Sequence, residues 1–198
     1  SANMAPSSLT LGARRLTHTQ AVSKETLNQT SPSVYASIVQ TLIDGIWNAV
    51  VYDLFDQVDT DAATQIGTSL NVPPTYTNIV DQEASVGDLY LKSPAYITTP
   101  SGKSFYQKTA YMTNQGAIWQ NNQMNGYPAY GLSAANVRKT YFGDWSKTAV
   151  GTWGGLEIIV DPFTDAKKGL INLTAVALVD TGCFNKRGFA ILQDASFA

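Results

Sequence analysis

The sequence predicts an α+β protein with one long helix, one long β-hairpin and a mixed centre of short helices and strands. Three observations predict it. Apolar residues recur at helical spacing over residues 32–58. Two β-branched runs, Leu156–Val160 and Leu170–Val179, flank a polar turn. Between these regions, short periodic runs alternate with Gly, Pro and Asn punctuation.

Residues 10–22 read as an extended segment. Leu16, His18, Gln20 and Val22 alternate with Thr17, Thr19 and Ala21, and Thr and Val suit a pleated surface. A short helical turn over Lys24–Gln29 is expected next. Ser31 is placed to cap a helix whose first residue is Pro32, where proline gives up only an orphan N–H. In the long helix, Val34, Ile38, Leu42, Ile46, Val50, Leu54 and Val58 form one row. Tyr35, Val39, Ile43, Trp47, Val51 and Phe55 form a second. A spacing of four exceeds the 3.6-residue period, so each step turns the stripe by about 40°. One flat partner cannot cover such a stripe. Two readings follow: a helix of roughly 39 Å crossing several elements, another subunit among them, or a central core helix. Gly45 inside it suggests a close approach.

Residues 59–75 are polar, turn-rich and end in Pro73-Pro74, which reads as a linker or subdomain boundary. Ile79–Leu91 reads as a helix interrupted near Gly87, Ala95–Thr98 as a strand and Ser101–Lys108 as a helix after Pro100. Ala117–Gln120 and Tyr127–Leu132 read as strands joined by a turn over Asn121–Gly126. The turn of the C-terminal hairpin, Asp161–Gly169, is longer than closure requires. It concentrates Asp161, Asp165, Lys167 and Lys168. Such a loop is either a contact surface or a solvated tip. Phe189–Leu192 reads as a last strand.

The composition narrows the function classes. Of 198 residues, 44% are hydrophobic and only 14% charged, against about 25% charged in an average soluble domain. With a net charge of −2, binding nucleic acid through a basic face is not its main activity. The single cysteine, Cys183, allows no intrachain disulfide, and one histidine, His18, is too few for a His/Cys zinc site. The plain expectation is a buried thiol and a solvent-facing strand histidine. No run approaches the ~20 apolar residues of a membrane span. Ser1–Met4 reads as a vector remnant.

No catalytic pattern emerges: there is no G-x-S-x-G elbow, phosphate loop with Lys or H-E-x-x-H. Gly151–Gly155 is glycine-rich but opens a strand, so no helix N-terminus would hold a phosphate there. The acidic pairs Asp59/Asp61 and Asp81/Glu83 suit solvated turns. Asp56, Asp59 and Asp61 do not complete a calcium loop. No enzyme, cofactor or metal is called for. Four Trp and ten Tyr in a charge-poor chain match interface cores, with carbohydrate stacking as a rival reading.

Three segments, in order, carry a family resemblance. The first runs from Ala13-Arg14-Arg15-Leu16 through Val22–Leu27 to Ser31-Pro32 and the long helix. The second is Gly126–Tyr130 followed by Tyr141-Phe142-Gly143-Asp144-Trp145-Ser146. The third is Gly154–Thr164, continuing through Leu173-Thr174-Ala175 and Val179-Asp180 to Phe189-Ala190. Together they resemble the HK97-type phage major capsid protein family. The resemblance implies a peripheral domain of residues 10–75 and 151–180, after a disordered start over 1–9. It implies an axial domain of 76–150 and 181–198.

It further implies a structural shell subunit that assembles with copies of itself into hexamers, pentamers and an icosahedral head. Protease, scaffold and portal would be partners, and packaged DNA only an indirect one. The location would be the virion, with assembly in the bacterial cytoplasm. Candidate subunit contacts are Asp161, Phe163, Thr164, Asp165, Lys167 and Lys168 at the hairpin tip, and Trp47 on the helix. The arm and extended loop usual before the helix are not in the sequence, so the chain reads as a trimmed core. Asp161–Leu170 holds no Asn, and the isopeptide cross-link of some members is not carried over. An encapsulin-like compartment shell and a carbohydrate-binding or adhesive module are the alternatives.

Overall fold

A computed structural model describes residues 9–29, 32–61, 64–86, 91–111, 116–136 and 138–197. In chain order, strand β1 (Arg14–Ser23) leads through helix α1 (Lys24–Gln29) to the long helix α2 (Pro32–Asp61). Strand β2 (Thr64–Val72), helix α3 (Tyr76–Ser85), strand β3 (Pro94–Thr98) and helix α4 (Pro100–Lys108) follow. Short strands β4 (Trp119–Gln120), β5 (Gln123–Met124) and β6 (Tyr127–Gly131) precede β7 (Thr140–Asp144). Then come β8 (Thr148–Thr152), β9 (Glu157–Asp161), the long β10 (Leu170–Cys183) and β11 (Phe189–Ala195). The expectations for Ser1–Met4, for Ser31 as a cap and for a break at Gly87 lie outside the described residues.

Two units divide the chain. One holds Thr10–Asp53 and Val150–Thr181, the other Leu54–Ala149 and Gly182–Ala198. In the first, β10 is the central strand. β1 runs antiparallel to it from Arg14↔Val179 to Ser23↔Leu170. Along the other edge β9 pairs with Asn172–Val176, and β8 also pairs with β10. Period-2 alternation turns Leu173, Ala175, Ala177 and Val179 to one face, where they meet Leu42, Ile46 and Val50 of α2. The far side of β10 stays wetter, with Leu178 exposed and Val176 half-buried.

The helix behaves as its spacing predicts. The first row is buried at Leu42, Ile46 and Val50. The second row is exposed at Tyr35 and Trp47, half-buried at Val39, Ile43 and Val51, and buried at Phe55. From Leu54 onward the helix serves the second unit, where the Phe55 ring lies 5.0 Å from Tyr141 and 5.7 Å from Trp145. Arg14 ties the first unit together, bonding to Asp53 on the helix and, at 3.0 Å, to Asp180 on β10. Thr181 adds a hydroxyl donated to Asp53 at 2.6 Å.

Gly45 does sit at a close approach. A Cβ there would come within 2.5 Å of the His18 ring. His18 is exposed, so its ring has room to swing away. Gly45→Ala also gains roughly 0.5–1 kcal/mol of helix preference. The two effects offset, and denaturant melts of Gly45→Ala are expected to fall within about 1 kcal/mol of wild type.

The second unit is a seven-stranded sheet in the order β2-β11-β7-β3-β6-β5-β4. The β2–β11 and β3–β6 pairs are parallel, the others antiparallel. Its core is aromatic, with Tyr96, Phe142, Trp119 and Tyr106 around Ile79, Met124 and Leu192. Thr75 and Asn78 form a capping box at the start of α3. Thr99 caps α4, with Pro100 in its first turn. On α3, Gln82 is fully buried and donates to the carbonyls of Thr140 (2.7 Å) and Ala190 (3.0 Å), linking the helix to two adjacent strands.

Some expectations change. Residues 59–75 are not a linker: α2 continues to Asp61, and Thr64–Val72 is the edge strand β2. Its sparse apolar residues are scattered among Thr, Gln, Ser and Asn, so the β signal is weak. Pairing with β11, more than a hundred residues away, supplies what local propensity does not. The expected turn over Asn121–Gly126 is two tight turns around β5. Asn121 (φ 50°) and Asn122 (φ 57°) make the first, Asn125 (φ 47°) and Gly126 (φ 85°) the second. Positive φ at both central residues suits two-residue hairpins.

Candidate functional site

Six of the seven predicted contact residues lie on the tip between β9 and β10. The Asp161 carboxylate organises its first half. Oδ1 accepts from the N–H groups of Phe163 (2.9 Å) and Thr164 (3.2 Å), and Oδ2 accepts from the Thr164 hydroxyl. These donors, the hydroxyl foremost, hold the Asp161 carboxyl below its ordinary value. Asp165 organises the second half. It accepts from the Asn172 amide at 2.9 Å and from Lys168 Nζ at 2.9 Å, and both lower its pKa. Asp165 in turn raises that of Lys168. Gly169 closes the turn in the left-handed region (φ 68°), and its carbonyl accepts from the Lys24 N–H at 2.8 Å.

The clustered charge is therefore largely spent inside the turn. What the tip offers outward is Phe163, 83% exposed, the exposed Lys168 ammonium paired with Asp165, and Lys167, which makes no ion pair among the described residues. An Asx-type turn holds a large aromatic ring in water, an unusual place for one. Asp161→Ala is expected to speed amide exchange at Phe163 and Thr164 while leaving the thermal midpoint of the protein unchanged. Hydrogen exchange read by mass spectrometry checks it.

Trp47, the seventh residue, is not part of the tip. It stands half exposed on α2, beside a groove of about 220 Å³ walled by Val50, Leu156, Leu178 and the Gly154–Gly155 backbone. A second groove shares Gly154, Gly155 and Leu178, and carries Trp153, Ile159 and Arg15 on the other side of the sheet. The two meet where β8 ends and β9 has not begun, and there the Trp153 N–H bonds to the Leu178 carbonyl at 2.9 Å. Eight residues of β10 separate Leu178 from Leu170, about 27 Å of strand at ~3.4 Å per residue. The structure thus yields two surfaces at opposite ends of one strand.

Sequence reading overlooked Trp153, Leu156, Ile159, Val160 and Leu178, all exposed. The signal was present in Leu156-Glu157-Ile158-Ile159-Val160, an apolar run on a strand whose sheet has a helix on one face. Of the acidic residues, Glu83 accepts from Tyr96 (2.5 Å) and Asn125 (2.7 Å). Asp59 is bound by Lys139 (2.9 Å) and Asn136 (2.7 Å). Cys183 is buried and donates to the Asn185 carbonyl at 3.4 Å. Among the described residues, no helix is long and apolar enough to cross a membrane.

The sequence profile of the phage capsid family matches residues 2–194. The chain belongs to the phage capsid family. This family chain is 29% identical over 117 residues to the major capsid protein of Halomonas phage phiHAP-1, an alignment covering 58% of the chain and 19% of that protein. It spans about a fifth of the length of that curated relative. Its fold is that of the capsid of the native GTA particle, at TM-score 0.76 and 14% identity, over 98% of this chain and 80% of that one. The holo-SrpI encapsulin complex from Synechococcus elongatus is also similar, at TM-score 0.68 and 12% identity, over 94% and 75% of the two chains. The mixed helix-and-sheet architecture of the family chain is HK97-like.

Proposed function

We propose that this capsid-family chain is the structural shell subunit of a tailed phage or prophage head and works by tiling with copies of itself. The observation that supports this best is the family match over nearly the whole chain. The surface suits the task. Phe163, Trp47, Tyr52 and Val160 are each more than half exposed, and few charges need desolvating when copies meet.

In this reading the unit of Thr10–Asp53 and Val150–Thr181 is the peripheral domain, and the unit with the seven-stranded sheet is the axial one. No residue has a catalytic role. The head assembles in the bacterial cytoplasm, with a prohead protease, scaffold and portal as partners. Electron microscopy of the expressed gene product, alone and with any protease encoded beside it, is expected to show capsomers or closed shells. Their consistent absence would sink the proposal.

The likeness to an encapsulin favours one second reading, a bacterial compartment shell. Neighbouring genes separate the two: portal and terminase genes accompany a phage head, a cargo enzyme gene a compartment.

A further inference from the structure

The sequence holds one Asn-Gly pair, Asn125-Gly126, and the fold places it in the turn between β5 and β6. We propose that Asn125 is a self-modification site: the Gly126 backbone nitrogen attacks its side-chain amide and converts it to a carboxylate, a reaction that Glu83 and Tyr76 hold in check. The reaction belongs to the single chain and does not depend on the shell-subunit reading.

Water is the only co-reactant. The Gly126 nitrogen bonds to the Asn125 Cγ and the Cγ–Nδ2 bond breaks. The proton of the Gly126 N–H leaves with Nδ2 as ammonia, and a five-membered succinimide ring remains. Water then adds to one of the two ring carbonyls. Breaking the new N–Cγ bond gives aspartate, and breaking the original peptide bond gives isoaspartate. No electrons are gained or lost. Glycine crowds the attacking nitrogen least, because it has no Cβ. Gly126 is exposed, with nothing within 4 Å of where a Cβ would stand. Asn121 and Asn122 also lie in the left-handed region, but Asn and Gln follow them, and those side chains hinder the attack.

The fold restrains both reacting ends. Asn125 takes φ 47° and Gly126 φ 85°, the pair of a two-residue hairpin. In the left-handed conformation the Asn125 Cβ and the Gly126 nitrogen lie nearly opposite each other about the Cα–C bond, whereas the ring needs them nearly eclipsed. The side chain is pinned as well. Its Nδ2 donates to Glu83 Oε2 at 2.7 Å, and its Oδ1 accepts from the Tyr76 hydroxyl at 3.0 Å. An ionised carboxylate only accepts, so the amide has one orientation. The Asn125 N–H donates to the Tyr111 hydroxyl at 3.2 Å, and the Tyr111 ring packs edge-on against Tyr76 at 4.5 Å. Glu83, Tyr76 and Tyr111 are all half-buried, so water replaces these bonds only in part when the turn opens.

Conversion would reverse the sign of the contact. A carboxylate at position 125 would stand where the amide now donates to Glu83, and two carboxylates sharing a site repel. Glu83 lies on α3 and also accepts from Tyr96 on β3 at 2.5 Å. A change at position 125 therefore reaches α3 and β3 through one residue.

Peptide mapping by mass spectrometry reads the conversion, with the whole chain incubated at mildly alkaline pH, folded or unfolded in urea. The folded chain is expected to convert at Asn125 at least about tenfold more slowly, since several hydrogen bonds must open first. Tyr76→Phe keeps the ring and should speed conversion about fivefold, the weight of one neutral hydrogen bond. Glu83→Ala should speed it about 30-fold, as a bond to a charged group is stronger. Tyr96→Phe strips Glu83 of its other donor, leaves Asn125 held, and should change nothing. No conversion in the unfolded chain overturns the site. Equal rates folded and unfolded, or variants no faster than wild type, overturn the restraint. Acceleration by Tyr96→Phe to match Glu83→Ala would show general loosening and overturn it too. Should Glu83→Ala not fold, as judged by circular dichroism, Tyr76→Phe alone decides. Asn125→Asp carries one product from the start, and is expected to speed amide exchange in α3 and the β5–β6 turn about tenfold. Unchanged exchange there overturns the coupling to α3.

Discussion

Asp144→Ala is expected to cost about 3–5 kcal/mol of stability, because it strips three backbone N–H groups of their acceptor. Asp144 ends β7 and has no accessible surface. Its Oδ2 accepts from the Lys92 N–H at 2.9 Å, and its Oδ1 from Ser93 at 3.0 Å and Ser146 at 3.1 Å. One carboxylate thus fastens the approach to β3 and the turn after β7. For a chain of this size the loss corresponds to roughly 10 °C in thermal midpoint. Asp144→Asn keeps one carbonyl acceptor and should fall between the two.

The pH dependence carries a definite sign. Burial by itself raises the Asp144 pKa, but the donors from Lys92, Ser93 and Ser146 outweigh it and hold the carboxyl below its ordinary value. In the unfolded chain this carboxyl titrates near its ordinary value of 3.8. The stabilisation is therefore fully present above that pH, and is lost as pH falls through the lower folded value. Denaturant unfolding at pH 7 and pH 3 should show wild type and Asp144→Asn converging at the acid end. Equal stability of the two at pH 7 would contradict this account.

Gly143→Ala should cost about 3 kcal/mol, at the upper end of overpacking losses. A Cβ at Gly143 would fall 2.4 Å from Phe189 Cδ1 and 2.5 Å from the Gly188 carbonyl oxygen. Phe189 is buried, pairs with Gly143 across the sheet and lies 5.2 Å edge-on to Trp145. Neither a paired strand nor a packed ring can give way as the exposed His18 does beside Gly45. The two glycine substitutions thus form a matched pair, one costly and one nearly neutral. A denaturation midpoint for Gly143→Ala within error of wild type would show that β11 shifts more easily than its packing implies.

The surface of the hairpin tip and of the Trp47 groove was only half legible. The tip stood out as charge gathered on an overlong turn, but that Asp161 and Asp165 each accept hydrogen bonds across that turn was not legible. Their hydrogen bonds to Thr164 and Asn172 depend on the path of the hairpin. Trp47 stood out as an apolar residue on a drifting row, but its groove needs Leu156 and Leu178, more than a hundred residues away. Strands β2, β5, β7 and β8 escaped notice for a related reason. β5 has only two residues and local partners, while β2, β7 and β8 are short or polar and are held by partners that no local window contains.

By itself the sequence determined the α+β class, the long helix, the hairpin and, through the order of three segments, the resemblance to phage capsids. These rest on local periodicity and on motifs contiguous in the chain. Tertiary structure alone decided that the helix serves two cores, that the supposed linker is a strand, and which charges remain free at the tip. Those outcomes depend on which distant backbone and side-chain groups meet, because hydrogen bonds and apolar burial act across space rather than along the sequence.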